Sequence, residues 1–193
     1  MDPFAMLRQF ILAIHPLSEA EQDKFLSIWS LTKEKRKVML TRAGEIERHL
    51  YFVAAGIQRV FYSDEQGKDA TIVFTYAPSF SGVADSFLTQ TPSAFFAETI
   101  TPSIFLKTSF TELNELMNQC SAIERMVRIS TNFALKGVLE RMVELQCYTS
   151  EEKFKRLMKR SPHLLNLVPH KYIASYLGID PTNFSKLLAR VRI

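Results

Sequence analysis

The chain has 193 residues, 47% of them hydrophobic, which is enough apolar surface for one large folded domain or two small ones. Charges interrupt the longest apolar runs well before about 18 residues, so we expect no membrane-spanning helix, and the N-terminus lacks the pattern of a signal peptide. The two cysteines, Cys120 and Cys147, are too few for a four-thiolate iron–sulfur cluster and are typical of reduced thiols in a cytoplasmic protein.

The net charge of +4 is unevenly distributed along the chain. From Ser150 onward there are nine basic and three acidic residues, a net +6, whereas the first 149 residues hold 15 basic and 17 acidic residues, a net −2. A mildly acidic body with a basic C-terminal segment indicates a polyanionic partner at that end. The alternative is a solvated basic helix without a partner.

The N-terminal part is predicted to be helical. Residues 1–5 precede a second methionine and resemble a cloning remnant, and no helix or strand is predicted for them. In LSEAEQDKFLSIWS, Ser18 is the predicted N-cap and Glu21 stands three residues later, which is the capping-box pattern. The apolar residues that follow fall on one helical face: Phe25, Ile28 and Trp29.

Residues 36–107 have a different pattern, in which short β-rich runs alternate with turn signals. SDEQGKD, residues 63–69, lies between two strand-like runs and is predicted to be a hairpin loop. Several closely spaced strands favour a sandwich or a small barrel, and the lack of strand–helix alternation argues against a doubly wound sheet. Glycines are predicted to mark the turns or bends: Gly44, Gly56, Gly67 and Gly82.

From about Phe110 the pattern is helical again. A short helix is predicted with Ser109 or Thr111 as its cap, and a long helix without proline is predicted over residues 122–148. Two adjacent lines of apolar residues run along the long helix, which favours two neighbours, its own sheet domain and the same helix of a second subunit. The alternative is a single wide core face. A basic helix follows and is predicted to end at Ser161-Pro162.

The segment HKYIASYLGIDPTNFSKLLAR, residues 170–190, is predicted to be a helix–turn–helix. Ala174 is small enough for two helices to touch, and Gly178 can take positive φ at the turn. Asp180 and Pro181 suit the N-cap and the first position of the second helix. The alternative is an ordinary helical hairpin. The positions predicted to be buried are Ile173, Leu177, Ile179, Phe184, Leu187 and Leu188.

The polar start of the second helix suits insertion into a major groove. Asn183 is predicted to pair with adenine, Lys186 with guanine or a phosphate, and Thr182 with either a base or a phosphate. The remaining cations of the segment are expected on phosphates, and the predicted DNA-binding set is completed by Lys171, Ser185, Arg190 and Arg192.

From about Met6 the chain resembles the CRP/FNR superfamily of bacterial transcription regulators, in the style of its Bacteroidetes-type members. The resemblance rests on LTRAGE, LYFVAAGIQRVF, GKDATIVF and IASYLGIDPTNFSKLL. It implies an α+β fold: an N-terminal double-stranded β-helix (a jelly-roll-like β-roll) with flanking helices, a long dimerisation helix and a C-terminal helix–turn–helix domain. The implied domains are a cyclic-nucleotide-binding-like sensor, the dimerisation helix and the DNA-binding domain, over residues 1–121, 122–148 and 149–193.

The resemblance also implies a cytoplasmic homodimer that binds a near-palindromic operator in double-stranded DNA, with RNA polymerase as a further candidate partner. Many relatives continue past the recognition helix into a two-stranded wing, and we expect the phosphate contacts of that wing to be missing here. The sequence leaves open the effector, the target genes, and whether the protein activates or represses.

The phosphate-binding cassette of the family departs from its pattern in FSGVADSFLTQTPSAFFAE. Val83 stands where members that bind cyclic AMP carry the ribose-binding glutamate, and Pro92 stands where they carry the phosphate-binding arginine. Because each lost charge-assisted hydrogen bond is worth about 1.5–3 kcal/mol, we expect cyclic AMP and cyclic GMP to bind weakly or not at all. Asp85 favours a neutral or cationic effector. The predicted effector pocket, whose alternative is a filled roll, comprises Gly82, Val83, Ala84, Asp85, Ser86, Ser93 and Ala94.

Two other classes of function are alternatives to a transcription regulator. A signalling module that binds a nucleotide or a protein through the β-roll would show no salt-sensitive duplex binding. A β-barrel enzyme would need clustered histidines, a nucleophile–base pair or metal-ligand spacing, and the sequence has none of these. We therefore expect no enzymatic activity, no metal and no cofactor.

Overall fold

The structure is a computed structural model, and it describes residues 2–190 of the chain. The described residues contain two four-stranded sheets and helices of 4 to 27 residues. In chain order the elements are α1 Pro3–Ile14, α2 Glu19–Ser27, β1 Ser30–Glu34, β2 Met39–Thr41, β3 His49–Ala55, β4 Ile57–Ser63, β5 Asp69–Tyr76, β6 Ser79–Ser81, α3 Ala84–Thr89, β7 Phe96–Thr99, β8 Ser103–Ser109, α4 Phe110–Gln119, α5 Ser121–Cys147, α6 Ser150–Arg160, α7 Leu164–Leu167, α8 His170–Leu177 and α9 Pro181–Arg190.

The chain forms two compact units. The first comprises Met1–Val60 and Phe74–Phe133, and the second comprises Phe61–Val73 and Ala134–Ile193. The second unit therefore contains the tip of the β4–β5 hairpin as well as the C-terminal helices. The mixed α+β composition with a β-roll confirms the predicted fold class at this level.

The first unit is built on a β-roll. One sheet has the strand order β1-β8-β3-β6 and the other has the order β2-β7-β4-β5. Side chains of β3 alternate between two environments, because successive residues of a strand point to opposite faces. Tyr51 and Val53 pack with Phe105 and with Leu40 of the opposite sheet, which places them inside the roll. Phe52 belongs instead to the large apolar cluster under the helices.

Helices α1, α2, α4 and the start of α5 cover the outer face of the β1-β8-β3-β6 sheet. The capping box predicted at Ser18 and Glu21 is present, and Ser109, rather than Thr111, caps α4 in the same way with Glu112. Residues 2–5 belong to the fold. Asp2 caps α1 by accepting a hydrogen bond of 2.9 Å from the Ala5 amide, and the Phe4 side chain packs against the apolar cluster.

The long helix α5 changes its surroundings along its length. Ile123 and Met126, near its start, are fully buried in the apolar cluster of the first unit. Every residue from 131 to 140 is exposed, including Phe133, Leu135 and Val138. One of the two predicted neighbours of the helix is therefore its own sheet domain, and the second neighbour stays a prediction.

The second unit contains a helical cluster that follows the second half of α5. Helix α6 begins at a capping box of Thr149 and Glu152 and ends at Arg160, immediately before the predicted Ser161-Pro162 break. Its apolar face is buried in the unit, with Phe154 and Phe184 ring centres 5.8 Å apart. Among the described residues, no helix is both long and apolar enough to cross a membrane.

Candidate nucleic-acid interface and sensor cassette

Helices α8 and α9 form the predicted pair around a tight turn. Ala174 is buried between them, and Gly178 ends α8 with a φ of 61°, a conformation that glycine adopts without a Cβ penalty. The Asp180 carboxylate accepts hydrogen bonds from the amides of Thr182 (2.9 Å) and Asn183 (3.2 Å), which satisfies two donors at the start of α9. The structure places Gly178 and Asp180 between α8 and α9, and the function of this helix pair stays a prediction.

Helix α9 has one buried face and one exposed face. Phe184 and Leu187 are buried, and the Phe184 ring also contacts His170 with ring centres 6.0 Å apart. Leu188 is only half-buried. The exposed residues of the helix include all of its predicted DNA-binding residues: Thr182, Asn183, Ser185, Lys186 and Arg190.

Two of the predicted phosphate-binding cations have neighbours in the structure, and a third lies outside it. Lys171 is exposed on α8, with its ammonium 5.0 Å from the ring centre of Tyr172. Arg190 pairs with Glu151 of α6 at 3.2 Å, and both side chains keep substantial exposure. Arg192 falls outside the described residues. A phosphate that binds Arg190 would therefore compete with a carboxylate.

The start of α6 carries a small ion cluster around Glu151. Lys155 lies 2.7 Å from its carboxylate, and the hydrogen bond and positive charge of Lys155, followed by those of Arg190, lower the pKa of Glu151. Glu151 is consequently ionised at neutral pH and remains a partner for both cations. Exposed pairs of this kind contribute little to folding, so the cluster orients side chains more than it stabilises the unit.

A network that the sequence argument missed joins α5 to α8. The Arg141 guanidinium lies 4.1 Å from the ring centre of Tyr176 and also donates a hydrogen bond to the Tyr176 carbonyl. Its other side pairs with the buried Glu144 at 2.7 Å, and Arg160 reaches Glu144 at 3.4 Å. Glu144 therefore joins Arg141 of α5 to Arg160 of α6, and Arg141 in turn joins α5 to α8.

A buried lysine lies at the same place. Lys153 of α6 is almost fully buried near Gly178, and burial, together with the charge of Arg141, lowers the pKa of its ammonium. The sequence signal for this network is weak. An arginine and a glutamate three residues apart on a helix usually form a surface pair.

The cassette region forms the short helix α3, and its residues do not share one environment. Val83 is only 1% exposed and packs with Val60 and Ala97, so an apolar side chain occupies the place of the family glutamate. Ser86 and Ser93 are buried and hydrogen-bonded. Gly82 is half-buried, and three of the predicted pocket residues are exposed: Ala84, Asp85 and Ala94.

Glu47 is the residue around which the start of the cassette is arranged. Its carboxylate accepts hydrogen bonds from the Thr41 hydroxyl and from the His49 amide (3.1 Å), and its own amide donates to the Ser86 hydroxyl at 2.9 Å. A Cβ added to Gly82 would lie 3.5 Å from the carboxylate. Burial raises the pKa of Glu47, and these hydrogen bonds only partly offset the effect.

An open pocket of about 490 Å³ lies beside Glu47, along the connection between β2 and β3. None of the predicted cassette residues lines it. His49, at its edge, has a pKa lowered by burial and by the charge of Lys107, so its imidazole is mainly neutral at physiological pH. The lining residues are Leu40, Thr41, Glu45, Ile46, Glu47, Arg48 and His49.

Inside the roll, polar side chains satisfy one another. The Gln58 amide donates to the Ser103 hydroxyl at 2.8 Å and accepts from the Thr75 hydroxyl at 3.1 Å, and Thr75 shares a hydrogen bond of 2.8 Å with Ser81. A ligand would have to displace these bonds to reach the same groups, at the cost of desolvating them. Within residues 2–190, no three histidine, cysteine or acidic side chains are grouped so as to hold a metal ion.

Most of the roll, together with its cassette helix, lies within a segment that matches a family model. Residues 33–120 match the family model of the cyclic nucleotide-binding domain. The matched segment begins in β1 and ends just after α4. Comparison with curated proteins gives no match.

Solved structures extend the similarity over most of the chain. The protein is similar to FixK2 of Bradyrhizobium japonicum, with a TM-score of 0.75, 15% identity and 84% of each chain covered. It is also similar to the c-di-GMP-responsive global regulator CLP of Xanthomonas campestris (TM-score 0.65, 15% identity, covering 90% of this chain and 91% of that one). The catabolite activator protein of Thermus thermophilus is similar with a TM-score of 0.58 and 19% identity, covering 93% of this chain and 84% of that one. At these identities the similarity establishes the fold.

Proposed function

We propose that the protein is a DNA-binding transcription regulator of the CRP/FNR type that acts as a cytoplasmic homodimer. The observation that carries the proposal is the exposed face of α9, where polar and cationic side chains stand on a helix whose opposite face is buried. A recognition helix needs both properties, a fixed orientation and free hydrogen-bonding groups. The solved regulators with the same fold support the proposal.

The proposed roles follow from side-chain chemistry. Asn183 presents an amide that suits adenine, and Lys186 presents an ammonium that suits guanine or a phosphate. Both are exposed in the first half of α9, the part of a recognition helix that meets base edges. Lys171 and Arg190 are assigned to phosphates, which set the position of the domain without reading sequence.

The homodimer is proposed from the exposed apolar face of α5. Four of its residues recur at positions i, i+3, i+4 and i+7, and each side chain is 48–54% exposed: Leu135, Val138, Leu139 and Met142. An apolar stripe with this spacing matches the seam of a two-helix coiled coil. The same helix of a second subunit would cover it, and two recognition helices about 34 Å apart would then face successive major grooves.

We further propose that cyclic AMP is not the effector. The buried Val83 and the exposed Pro92 leave the cassette without the carboxylate and the guanidinium that would bind ribose and phosphate. Titration calorimetry with cyclic AMP and cyclic GMP is expected to give no micromolar binding. A micromolar dissociation constant for either nucleotide would contradict this part of the proposal.

The central experiment is selection of duplexes from a random pool by the purified full-length protein, followed by affinity measurements at several salt concentrations. Binding is expected to weaken steeply with salt and to favour a near-palindrome. Asn183→Ala and Lys186→Ala are expected to lower the ratio of selected to random binding, by about fivefold to 100-fold for a base contact. Lys136→Ala, which removes a charge from α5, is the matched control. Wild-type protein that binds no duplex at low salt would refute the proposal and favour the signalling-module alternative.

A further inference from the structure

Ser175, on the first helix of the helix–turn–helix, joins that helix to the β4–β5 hairpin. Its hydroxyl accepts a hydrogen bond from the Thr71 amide at 2.9 Å and donates one to the Asp69 carbonyl at 3.1 Å. Asp69 and Thr71 are two residues apart on β5, so their peptide groups point to the same side of the strand. Since β5 is the last strand in its sheet order, the Ser175 side chain occupies the position of the next strand.

Tyr176, the next residue, joins the same helix to α5. Arg141 contacts both its ring and its carbonyl, and the Arg160 guanidinium lies 3.3 Å from its hydroxyl. Two adjacent residues of α8 therefore make contact with three elements outside the helix–turn–helix, β5, α5 and α6, all within the second compact unit. Neither residue lies on α9, and the proposed base-reading residues of α9 stay exposed.

We infer that Ser175 and Tyr176 are positioning residues, which fix the helix–turn–helix on the hairpin and on α5 so that α9 meets DNA in one orientation. The inference rests on the proposed DNA-binding function. A reading helix that is already oriented loses less conformational freedom on binding, which raises affinity without adding a DNA contact. Because the contacts leave the reading face open, they favour binding and do not block it.

The test compares Ser175→Ala with Ser175→Thr, which keeps a hydroxyl at the same position, and with Ser150→Ala as an exposed serine control. In hydrogen–deuterium exchange of the full chain without DNA, Ser175→Ala is expected to speed exchange of the Thr71 amide by about twofold to tenfold, the range for loss of a neutral hydrogen bond. Exchange within α9 is expected to stay unchanged, whereas simple unfolding of the domain would speed both. Ser175→Thr is expected to restore the wild-type rate.

The functional arm uses the duplex selected with wild-type protein. Ser175→Ala is expected to weaken binding by about twofold to tenfold, with the same dependence on salt, because no phosphate contact is lost. Tyr176→Leu is expected to weaken it similarly, whereas Tyr176→Phe keeps the ring that Arg141 contacts and most of the affinity.

The outcomes separate the two proposals. Wild-type binding with unchanged or tighter binding by Ser175→Ala would overturn the positioning role and leave the DNA-binding proposal intact. An unchanged Thr71 exchange rate would overturn the role of the hairpin contact. Wild-type protein that binds no duplex would overturn the DNA-binding function, and the positioning role would fall with it.

Discussion

Leu139→Arg is expected to dissociate the proposed homodimer. Leu139 lies near the centre of the apolar stripe on α5 and is 53% exposed in the single chain. Full burial of a leucine is worth about 1.5–3 kcal/mol, so about 1 kcal/mol per subunit remains to be gained at an interface. A symmetric dimer contains the position twice, and the substitution should therefore cost about 2 kcal/mol, or about 30-fold in the dissociation constant, before repulsion between the two guanidinium groups is added.

Sedimentation equilibrium across nanomolar to micromolar concentrations measures this effect directly. Phe133→Arg is the matched control, since Phe133 is 59% exposed on the same helix but points about 120° away from Leu139, at 100° per residue. The control is expected to stay dimeric. A wild-type monomer at micromolar concentration would refute the interface. A dimer disrupted by Phe133→Arg but not by Leu139→Arg would place the interface on the face of α5 that carries Phe133.

Three further outcomes are expected. Gly56→Ala should destabilise the first unit by about 2–4 kcal/mol in urea unfolding, because Gly56 has a φ of 93° and a Cβ would lie 2.6 Å from the Pro102 carbonyl oxygen. The control is Gly137→Ala, which should not destabilise the protein because a Cβ at this helical position meets no other atom within 4 Å. The raised pKa of Glu47 means that its stabilising contribution is present below the unfolded-state pKa and is lost as the pH rises through the folded-state value. Glu47→Gln should remove this dependence of stability on pH. The melting temperature of the variant should therefore rise relative to that of wild type between pH 4 and pH 7. Parallel plots of melting temperature against pH for the two proteins would contradict the raised pKa of Glu47. Glu144→Ala should cost about 3–5 kcal/mol because it leaves Arg141 unpaired at a buried site, and a loss below 1 kcal/mol in thermal unfolding would show that the network is dispensable.

The parts of the fold that follow from local sequence were predictable. The cap at Ser18, the hairpin loop at residues 63–69 and the turn at Gly178 each depend on residues within a few positions of one another. The exposed face of α9 was predictable for the same reason, because the spacing of apolar residues within one helix determines which side is buried. Arg192 lies outside the described residues.

The contacts that depend on distant residues were not predictable. The bond from Ser175 to the hairpin joins residues more than 100 positions apart, and nothing near Ser175 in the sequence distinguishes it from another helical serine. Glu47 was missed for a similar reason, since only the folded chain brings it to Gly82 and Ser86. The predicted pocket residues share a stretch of sequence, but α3 turns some of them inward and others outward.

The uninterrupted exposure of residues 131–140 has a consequence for how the molecule behaves on dilution. Ten helical residues without a packing partner depend for their order on the packed turns of α5 before and after them, since isolated helices shorter than about 12–15 residues are marginal. The middle of α5 should therefore fray when the subunits of the proposed homodimer separate. Formation of the proposed dimer and folding of this stretch are then coupled, and the helix content measured by circular dichroism should rise with protein concentration.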